Sequence, residues 1–345
     1  MRIAAATALA LLWLVAPAAA ERPVIDSAGR SVAVPERVAR VFAAGPPASV
    51  LVYALAPEKL AGWSRAPSPA ERAFLTPPYG DLPELGRLTG RGDTANLEVV
   101  LAAGPDLILD LGSVADTYVS LANRVQAQTG IPYLLIDGRL ANTATALRLA
   151  GAILGVPERG ERLARYAEDT FARIDAALAA VAPEARPRVY LARGPDGLET
   201  GLRGSINAEI IERVGGINVA DAGTERQGIA QVQLEQVLAW NPDSIVTWDE
   251  NFYRSVKADP AWAGVAAVRA GRVWLSPGLP FGWIDRPPAL NRLIGLRWLA
   301  GLFYPGQAAI DLRAETREFY RLVYGVELDE AGLDRLLGPA GGAAP

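Results

Sequence analysis

The sequence predicts an α/β protein built from two doubly wound lobes that are joined by a single long helix. The first observation is a repeated unit: residues 96–108 and 233–245 share Leu, Glu, Val, Leu, Ala, Pro, Asp and Ile at aligned positions, without a gap. The second is that two strand patterns also occur twice, at 38–45 and 186–194 and at 131–136 and 272–276. Strands that alternate with helices twice in the same order indicate two similar lobes, each with a mainly parallel sheet.

Each copy of the repeated unit predicts a short helix followed by a strand. Leucine and valine side chains three and four residues apart form the buried side of the helix. The Pro-Asp pair then ends the helix, because proline cannot continue the hydrogen-bond ladder. Glu98 in the first copy and Glu235 in the second lie off this apolar side, so we expect both carboxylates to be exposed.

The first 20 residues have the pattern of a secretory signal peptide. Met1 and Arg2 precede an apolar run that ends at Val15, and a small-residue cleavage site ends at Ala20. The alternative is a retained membrane anchor, for which the run is short. The sequence contains no cysteine, so no lipid-modified cysteine is expected. These features predict cleavage after Ala20 and a free protein in the periplasm of a two-membrane bacterium.

Composition excludes several classes of function. Without Arg2 the chain has 33 basic and 38 acidic residues, a net charge of −5, which argues against nucleic acid as a partner. Histidine and cysteine are both absent, so a Ser-His or Cys-His dyad and a histidine-based metal site are ruled out. No phosphate-binding glycine motif is present. A hard-metal site built from carboxylates stays open, but no aspartate-rich loop with calcium spacing is visible. We predict no catalytic residue, no cofactor and no metal site.

The first lobe is assigned to residues 21–156. Its predicted elements are a small hairpin or an edge strand at 22–35, strands at 38–43, 60–63 and 107–111, and helices at 50–55, 117–128 and within 139–155. Pro46 lies where a helix starts at the carboxyl end of a strand, a position that suits an anion but is equally an ordinary helix start. Trp63 and Arg65 follow the exit of the next predicted strand, where doubly wound sheets place ligand contacts.

A linking helix is predicted at residues 157–183. It is the longest helical pattern of the chain, and Pro157 and Pro183 mark its ends. Its apolar stripe consists of Leu163, Tyr166, Thr170, Ile174, Leu178 and Val181, with charged residues on the opposite face. Its place between the two repeats makes it the link between the lobes.

The second lobe is assigned to residues 184–337, with helices at its carboxyl end. Arg193 and Trp248 lie at predicted strand exits, and a helix is predicted at 207–214 and another at 288–303. The loop at 277–288 is unusually rich in proline, glycine and aromatic residues. The tail at 338–345 consists mostly of glycine, proline and alanine and is predicted to be disordered.

The two Leu-Glu-x-Val-Leu…Pro-Asp units resemble those of the periplasmic substrate-binding proteins of iron-siderophore and cobalamin ABC importers. The resemblance covers nearly the whole mature chain and includes residues 83–86 and 319–328. It implies a helix that spans both lobes, a ligand cleft between the lobes with little closure, and an ABC permease dimer as the partner. It also implies that Glu98 and Glu235 dock onto arginines of the two permease subunits. The alternative is that each glutamate only favours its helix N-terminus.

The candidate ligand-binding residues follow strand exits of both lobes. They are Pro46, Trp63, Arg65, Arg193, Trp248, Phe281, Trp283 and Arg286. Arginine offers forked donors for oxygen-rich anions, and aromatic rings offer flat apolar walls. Taken singly, the aromatics suit core packing and the arginines suit a solvated surface.

Together these residues suit an anionic metal chelate with bulky organic parts. A ferric siderophore or a corrinoid is the first expectation, and a molybdate- or tungstate-type oxyanion is the alternative. A sensor that uses the same fold without transport stays open, whereas no nucleophile or base supports a secreted enzyme. We expect a monomer.

Overall fold

The computed structural model describes residues 20–90, 95–221 and 228–338. The predicted signal peptide at 1–20 and the predicted tail at 338–345 lie almost wholly outside these ranges. The predicted fold class is confirmed: two parallel sheets are surrounded by helices, and a long helix lies between them in the chain. Among the helices of the described ranges, none combines the length and the hydropathy that a membrane span needs.

The first lobe contains a parallel sheet of three strands and a separate hairpin. Its elements in chain order are β1 (Glu21–Ile25), β2 (Ser31–Pro35), β3 (Val41–Ala43), α1 (Pro46–Leu55), α2 (Pro69–Arg72), α3 (Leu97–Ala103), β4 (Leu107–Gly112), α4 (Asp116–Thr129), β5 (Tyr133–Asp137) and α5 (Thr143–Ile153). The sheet order is β3-β4-β5, and β1 pairs with β2 in antiparallel register.

The linking helix and the second lobe complete the chain. Their elements in chain order are α6 (Pro157–Ala179), β6 (Arg188–Ala192), β7 (Glu199–Gly201), α7 (Glu209–Arg213), β8 (Ile217–Asn218), β9 (Ile229–Gln231), α8 (Leu234–Trp240), β10 (Ser244–Thr247), α9 (Glu250–Val256), α10 (Ala266–Arg269), β11 (Val273–Leu275), α11 (Arg292–Phe303), α12 (Pro305–Ala308), α13 (Leu312–Phe319) and α14 (Glu330–Leu337). The sheet order is β8-β6-β10-β11, so β6, β10 and β11 repeat the order of β3, β4 and β5.

The repeated aspartate has the same structural task in both lobes. The Asp106 Oδ2 atom accepts the backbone N–H of Arg40 at 2.8 Å, and Asp243 Oδ2 accepts that of Arg188 at 3.1 Å. Each carboxylate thereby fixes the start of β3 or β6 beside the start of the neighbouring strand of its sheet, β4 or β10. This shared hydrogen bond accounts for the aspartate at the same place in both copies of the unit.

The predicted strand at 60–63 does not form. Ala61 donates its N–H to the Val41 carbonyl at 2.9 Å, whereas Trp63 donates to the Pro83 carbonyl at 2.8 Å. Residues two apart therefore pair with different segments, and only isolated bridges result. The prediction of a second strand here was wrong because the chain turns from one partner to the other at Gly62, where a Cβ would overlap the Pro83 carbonyl.

The hydrophobic core is continuous between the two lobes. One cluster contains Leu51 and Leu134 of the first lobe together with Leu191 and Ile294 of the second. Helix α6 buries its predicted stripe against α5 on one side and α11 on the other. The predicted link is therefore packed along its length.

The carboxyl-terminal helices return to the first lobe. The Tyr53 hydroxyl donates to the carbonyl oxygen of Tyr324 at 2.9 Å, and the Thr76 hydroxyl donates to the same oxygen at 2.9 Å. Tyr324 ends a π-helical turn (Tyr320–Tyr324) that continues α13. The sequence predicts that these helices belong to the second lobe, and the structure shows that they also pack against the first lobe.

Candidate functional site

A cavity of about 1400 Å³ lies between the carboxyl ends of the two sheets and extends to α11 and the end of α14. The first lobe contributes the start of α1 and the chain after β4, and the second contributes the chain after β6, β10 and β11. Strand exits of both lobes thus face one another across a single space, which is where open α/β sheets bind ligands.

The structure brings most of the predicted site residues to this cavity. The lining includes Pro46, Trp63, Arg65, Arg193, Trp248, Phe281 and Arg286. Trp283 lies elsewhere: it is fully buried in the core, and its indole Nε1 faces the Tyr320 hydroxyl at 3.3 Å. The backbone of Trp283 also touches α11 so closely that a Cβ on Gly295 would overlap its carbonyl.

The start of α1 is poor in hydrogen-bond donors. Gly45 is the N-cap residue, and Pro46 and Pro47 occupy the first two helical positions. Proline has no backbone N–H, so two of the donors that a helix start usually offers are missing. Of the two alternatives for Pro46, this geometry favours an ordinary proline-led helix start over an anion site.

Arg286 is an available cation of the second-lobe wall. It is exposed, and its guanidinium lies 4.7 Å from the centre of the Trp248 ring. Arg286 forms no ion pair with another residue of the described ranges, whereas Arg65 on the opposite side is paired with Glu71 at 2.6 Å. An unpaired guanidinium beside an aromatic face suits an anionic group that carries organic surface.

Arg193 is already engaged by carboxylates. Its Nη1 atom lies 3.0 Å from Asp285 Oδ2 and its Nε atom 3.5 Å from Glu199 Oε1, and only 12% of the side chain is exposed. The Asp285 side chain is fully buried and also accepts a hydrogen bond from Asn207 at 3.2 Å. Burial raises the pKa of Asp285, although the Arg193 charge opposes this shift. Arg193 therefore balances a buried charge as well as facing the cavity.

Asp110 lines the first-lobe wall and was not among the predicted site residues. It accepts hydrogen bonds from the Thr89 hydroxyl at 3.1 Å and from the Tyr133 hydroxyl at 3.2 Å. Burial raises the pKa of its carboxyl group to about 6. The available signal in the sequence was an acidic residue within the otherwise apolar strand β4.

The two predicted docking glutamates are exposed, as expected. Glu98 lies in the first turn of α3 and Glu235 in the first turn of α8. These helices occupy equivalent places in the two repeats. Neither glutamate forms an ion pair within the part of the chain that the structure describes.

The described residues contain no group of three or more aspartate, glutamate, histidine or cysteine side chains that could hold a metal ion.

Comparison with known proteins identifies the family. A family profile described as periplasmic binding protein matches residues 76–278. The chain is 27% identical over 269 residues to the molybdate-binding protein MolA of Haemophilus influenzae. This alignment covers 70% of this chain and 74% of MolA. It is 31% identical over 195 residues to the vitamin B12-binding protein of Salmonella choleraesuis. That alignment covers 52% of this chain and 69% of the vitamin B12-binding protein.

Among solved structures, the ABC transporter solute binding protein from Sulfurospirillum deleyianum superposes with a TM-score of 0.82 at 28% identity. The match covers 91% of this chain and 98% of that one. The resemblance that the two repeats carry is thereby confirmed, and the fold around the cavity is the fold of these binding proteins. The chain belongs to the periplasmic binding protein family, among the substrate-binding proteins of ABC importers.

Proposed function

We propose that this protein captures a metal chelate, such as a ferric siderophore or a corrinoid, and delivers it to an ABC importer. The observation that carries the proposal is the size and lining of the cavity. Its volume of about 1400 Å³ exceeds the roughly 300–1000 Å³ of typical small-molecule sites. A large ligand with an organic shell would fill this space, whereas a bare tetrahedral oxyanion would fill a small part of it.

Two features of the second-lobe wall suit different parts of such a ligand. Arg286 offers forked donors to a carboxylate or another acidic oxygen, and the Trp248 ring beside it offers apolar surface. Phe281 extends this surface and packs against Trp63 with ring centres 5.9 Å apart. A chelate that combines charge with flat organic groups would use both features.

The second candidate ligand is a molybdate- or tungstate-type oxyanion. It is favoured by MolA, which matches a larger share of this chain than the vitamin B12-binding protein does. A MolA structure with bound molybdate also has the same fold, with a TM-score of 0.75 at 22% identity. At that level of identity the match supports the fold and leaves the ligand to experiment.

Titration calorimetry separates the two candidates. Purified protein is titrated with cyanocobalamin, with an anionic ferric catecholate siderophore and with sodium molybdate in the same buffer. The proposal expects saturable binding of at least one chelate and weaker or no binding of molybdate. Molybdate binding tighter than that of every chelate would overturn it in favour of the oxyanion.

The partner side of the proposal rests on Glu98 and Glu235. Both are exposed on equivalent helices, one in each lobe. A two-lobed protein meets a two-fold permease through similar contacts from each lobe, and this pair supplies them.

We place the protein in the periplasm, and cleavage after Ala20 stays a prediction that N-terminal sequencing of the exported protein tests. The monomeric state likewise stays a prediction.

A further inference from the structure

Two buried carboxylates line opposite walls of the cavity, and they differ in how their charge is balanced. Asp285 on the second-lobe wall has a guanidinium beside it, with Arg193 Nη1 3.0 Å from its Oδ2 atom. Asp110 on the first-lobe wall is 4% exposed and forms no ion pair with any described arginine or lysine. Its partners are hydroxyl and backbone groups, which carry no net charge.

The Asp110 carboxylate has acceptor capacity left. An ionised carboxylate offers about four acceptor positions. The Thr89 hydroxyl, the Tyr133 hydroxyl and the backbone N–H of Leu111 occupy three of them. Because Asp110 lines the cavity, a ligand group that donates a hydrogen bond can complete the set.

The surroundings of Asp110 add to this preference. Ser49 and Ser64 lie on the same wall, with their hydroxyl oxygens 3.4 Å apart. Hydroxyl groups can turn to donate or to accept, so they adapt to a ligand, whereas an ionised carboxylate can only accept. With a pKa of about 6, this carboxylate is mostly ionised at pH 7. A ligand group beside this carboxylate must therefore be a hydrogen-bond donor.

We infer that Asp110 is a specificity-determining residue, which favours ligands that present a hydrogen-bond donor to the first-lobe wall and rejects oxyanions without a proton. The inference rests on the proposed function, because it concerns the same cavity. Molybdate carries no proton at neutral pH and offers only lone pairs and negative charge. Beside an ionised carboxylate, the molybdate oxygens would face other negatively charged acceptor oxygens. Such repulsion is a common means of excluding a competing ligand. A chelate with amide or hydroxyl groups can donate instead.

The test compares two ligands on three proteins. Sodium molybdate and cyanocobalamin are titrated into the wild type, Asp110→Asn and Asp137→Asn at pH 7.5. Asn removes the charge at nearly constant shape. Asp137 is the matched control, because it ends the neighbouring strand β5 but lies outside the cavity, where it accepts from Arg139 N–H and Asn142 Nδ2.

We expect Asp110→Asn to bind molybdate at least about tenfold more tightly than the wild type, since one like charge commonly shifts such equilibria by one unit of pK or more. The same substitution should weaken cyanocobalamin binding, and Asp137→Asn should change neither affinity. A purely structural role of Asp110 would move both affinities in the same direction. If Asp110→Asn does not fold, as judged by circular dichroism, Asp110→Ser takes its place.

Equal molybdate affinity of the wild type and Asp110→Asn, including no binding by either, overturns the inference. The proposed function fails separately, when the wild type binds neither cyanocobalamin nor a ferric siderophore. A gain of molybdate binding in Asp110→Asn supports the role of Asp110 even in that case, because the molybdate titration does not depend on a chelate.

Discussion

The guanidinium of Arg292 in the second lobe donates a hydrogen bond of 2.7 Å to the carbonyl oxygen of Gly138 in the first lobe. Its Nη1 atom donates to Glu209 at 2.6 Å, and the same Glu209 oxygen accepts the backbone N–H of Leu140 at 2.7 Å. Arg292 is 2% exposed and Glu209 is 13% exposed. A buried ion pair therefore binds the two lobes together behind the cavity.

Replacing Arg292 by Met should destabilise the protein by about 3–5 kcal/mol, because Glu209 loses its buried cation and the carbonyl groups of Gly138 and Ile206 lose this donor. Urea unfolding followed by circular dichroism measures the change. Arg254→Ala is the control, since the Arg254–Glu250 pair is exposed and such pairs contribute under about 1 kcal/mol. A loss of stability no larger than that of the control would show that the interlobe ion pair stabilises the fold no more than an exposed ion pair does.

Arg286→Ala should weaken binding of an anionic chelate by about 1.5–3 kcal/mol, the usual contribution of a charge-assisted hydrogen bond. The unfolding midpoint should stay unchanged, because Arg286 is exposed and unpaired within the described ranges. Titration calorimetry with the chelate that binds the wild type is the measurement. Arg165→Ala, on the exposed face of α6, controls for the loss of one positive charge, and equal affinities of the two variants would contradict the assignment.

Arg193→Ala should reduce stability as well as affinity. Without the guanidinium, the fully buried Asp285 loses its cation, and the pKa of Asp285 in the folded protein rises further above its ordinary value. A folded-state pKa above the unfolded one gives stability that is lost as pH rises. Urea midpoints of this variant should therefore fall more steeply than those of the wild type as the pH rises above the ordinary pKa range of an aspartate, and parallel profiles would contradict this role.

Asp110 should make the stability of the wild type depend on pH. Its pKa is about 6 in the folded protein against an ordinary 3.8, so the folded state holds the proton more firmly. The resulting stabilisation is complete below about pH 4 and is lost as pH rises through 6, with an amplitude of about 3 kcal/mol for two units of pK. Relative to Asp110→Asn, the wild type should lose roughly that much between pH 4 and pH 7 in urea unfolding. A constant difference between the two proteins across this range would refute the assignment.

The double variant Glu98→Arg, Glu235→Arg should abolish uptake while ligand affinity and melting temperature stay nearly intact. A reversed charge would face a like charge across the interface with the permease. Uptake of labelled ligand by cells is the measurement, and Glu58→Arg is a control on a surface turn of the first lobe. Full uptake by the double variant would remove the docking role and leave the two glutamates as helix N-terminal residues.

The sequence predicts the repeated features of this fold well, because each is local. The Leu-Glu-x-Val-Leu…Pro-Asp unit contains its own helix, stop and strand, and both copies form as expected. The strand at 60–63 fails because its pairing is decided by distant segments. Trp283 and Phe281 are two residues apart, and only packing shows that one faces the core and the other the cavity.

The buried carboxylates of the site could not be derived in the same way. Asp110 gains its role from Thr89 and Tyr133, which lie 21 and 23 residues away. Asp285 gains its role from Arg193 in a different segment. The sequence shows which residues are charged, but it does not show which charged residues lie together on one wall of the cavity.

The contact between Tyr53 and Tyr324 joins residues 271 positions apart. The first-synthesised lobe thus receives part of its core from nearly the last residues of the chain. Domains usually fold as units in the order in which they emerge during synthesis, but here the first lobe lacks partners until translation is almost complete. The first lobe is therefore expected to stay incompletely packed until the segment around Tyr324 has been made.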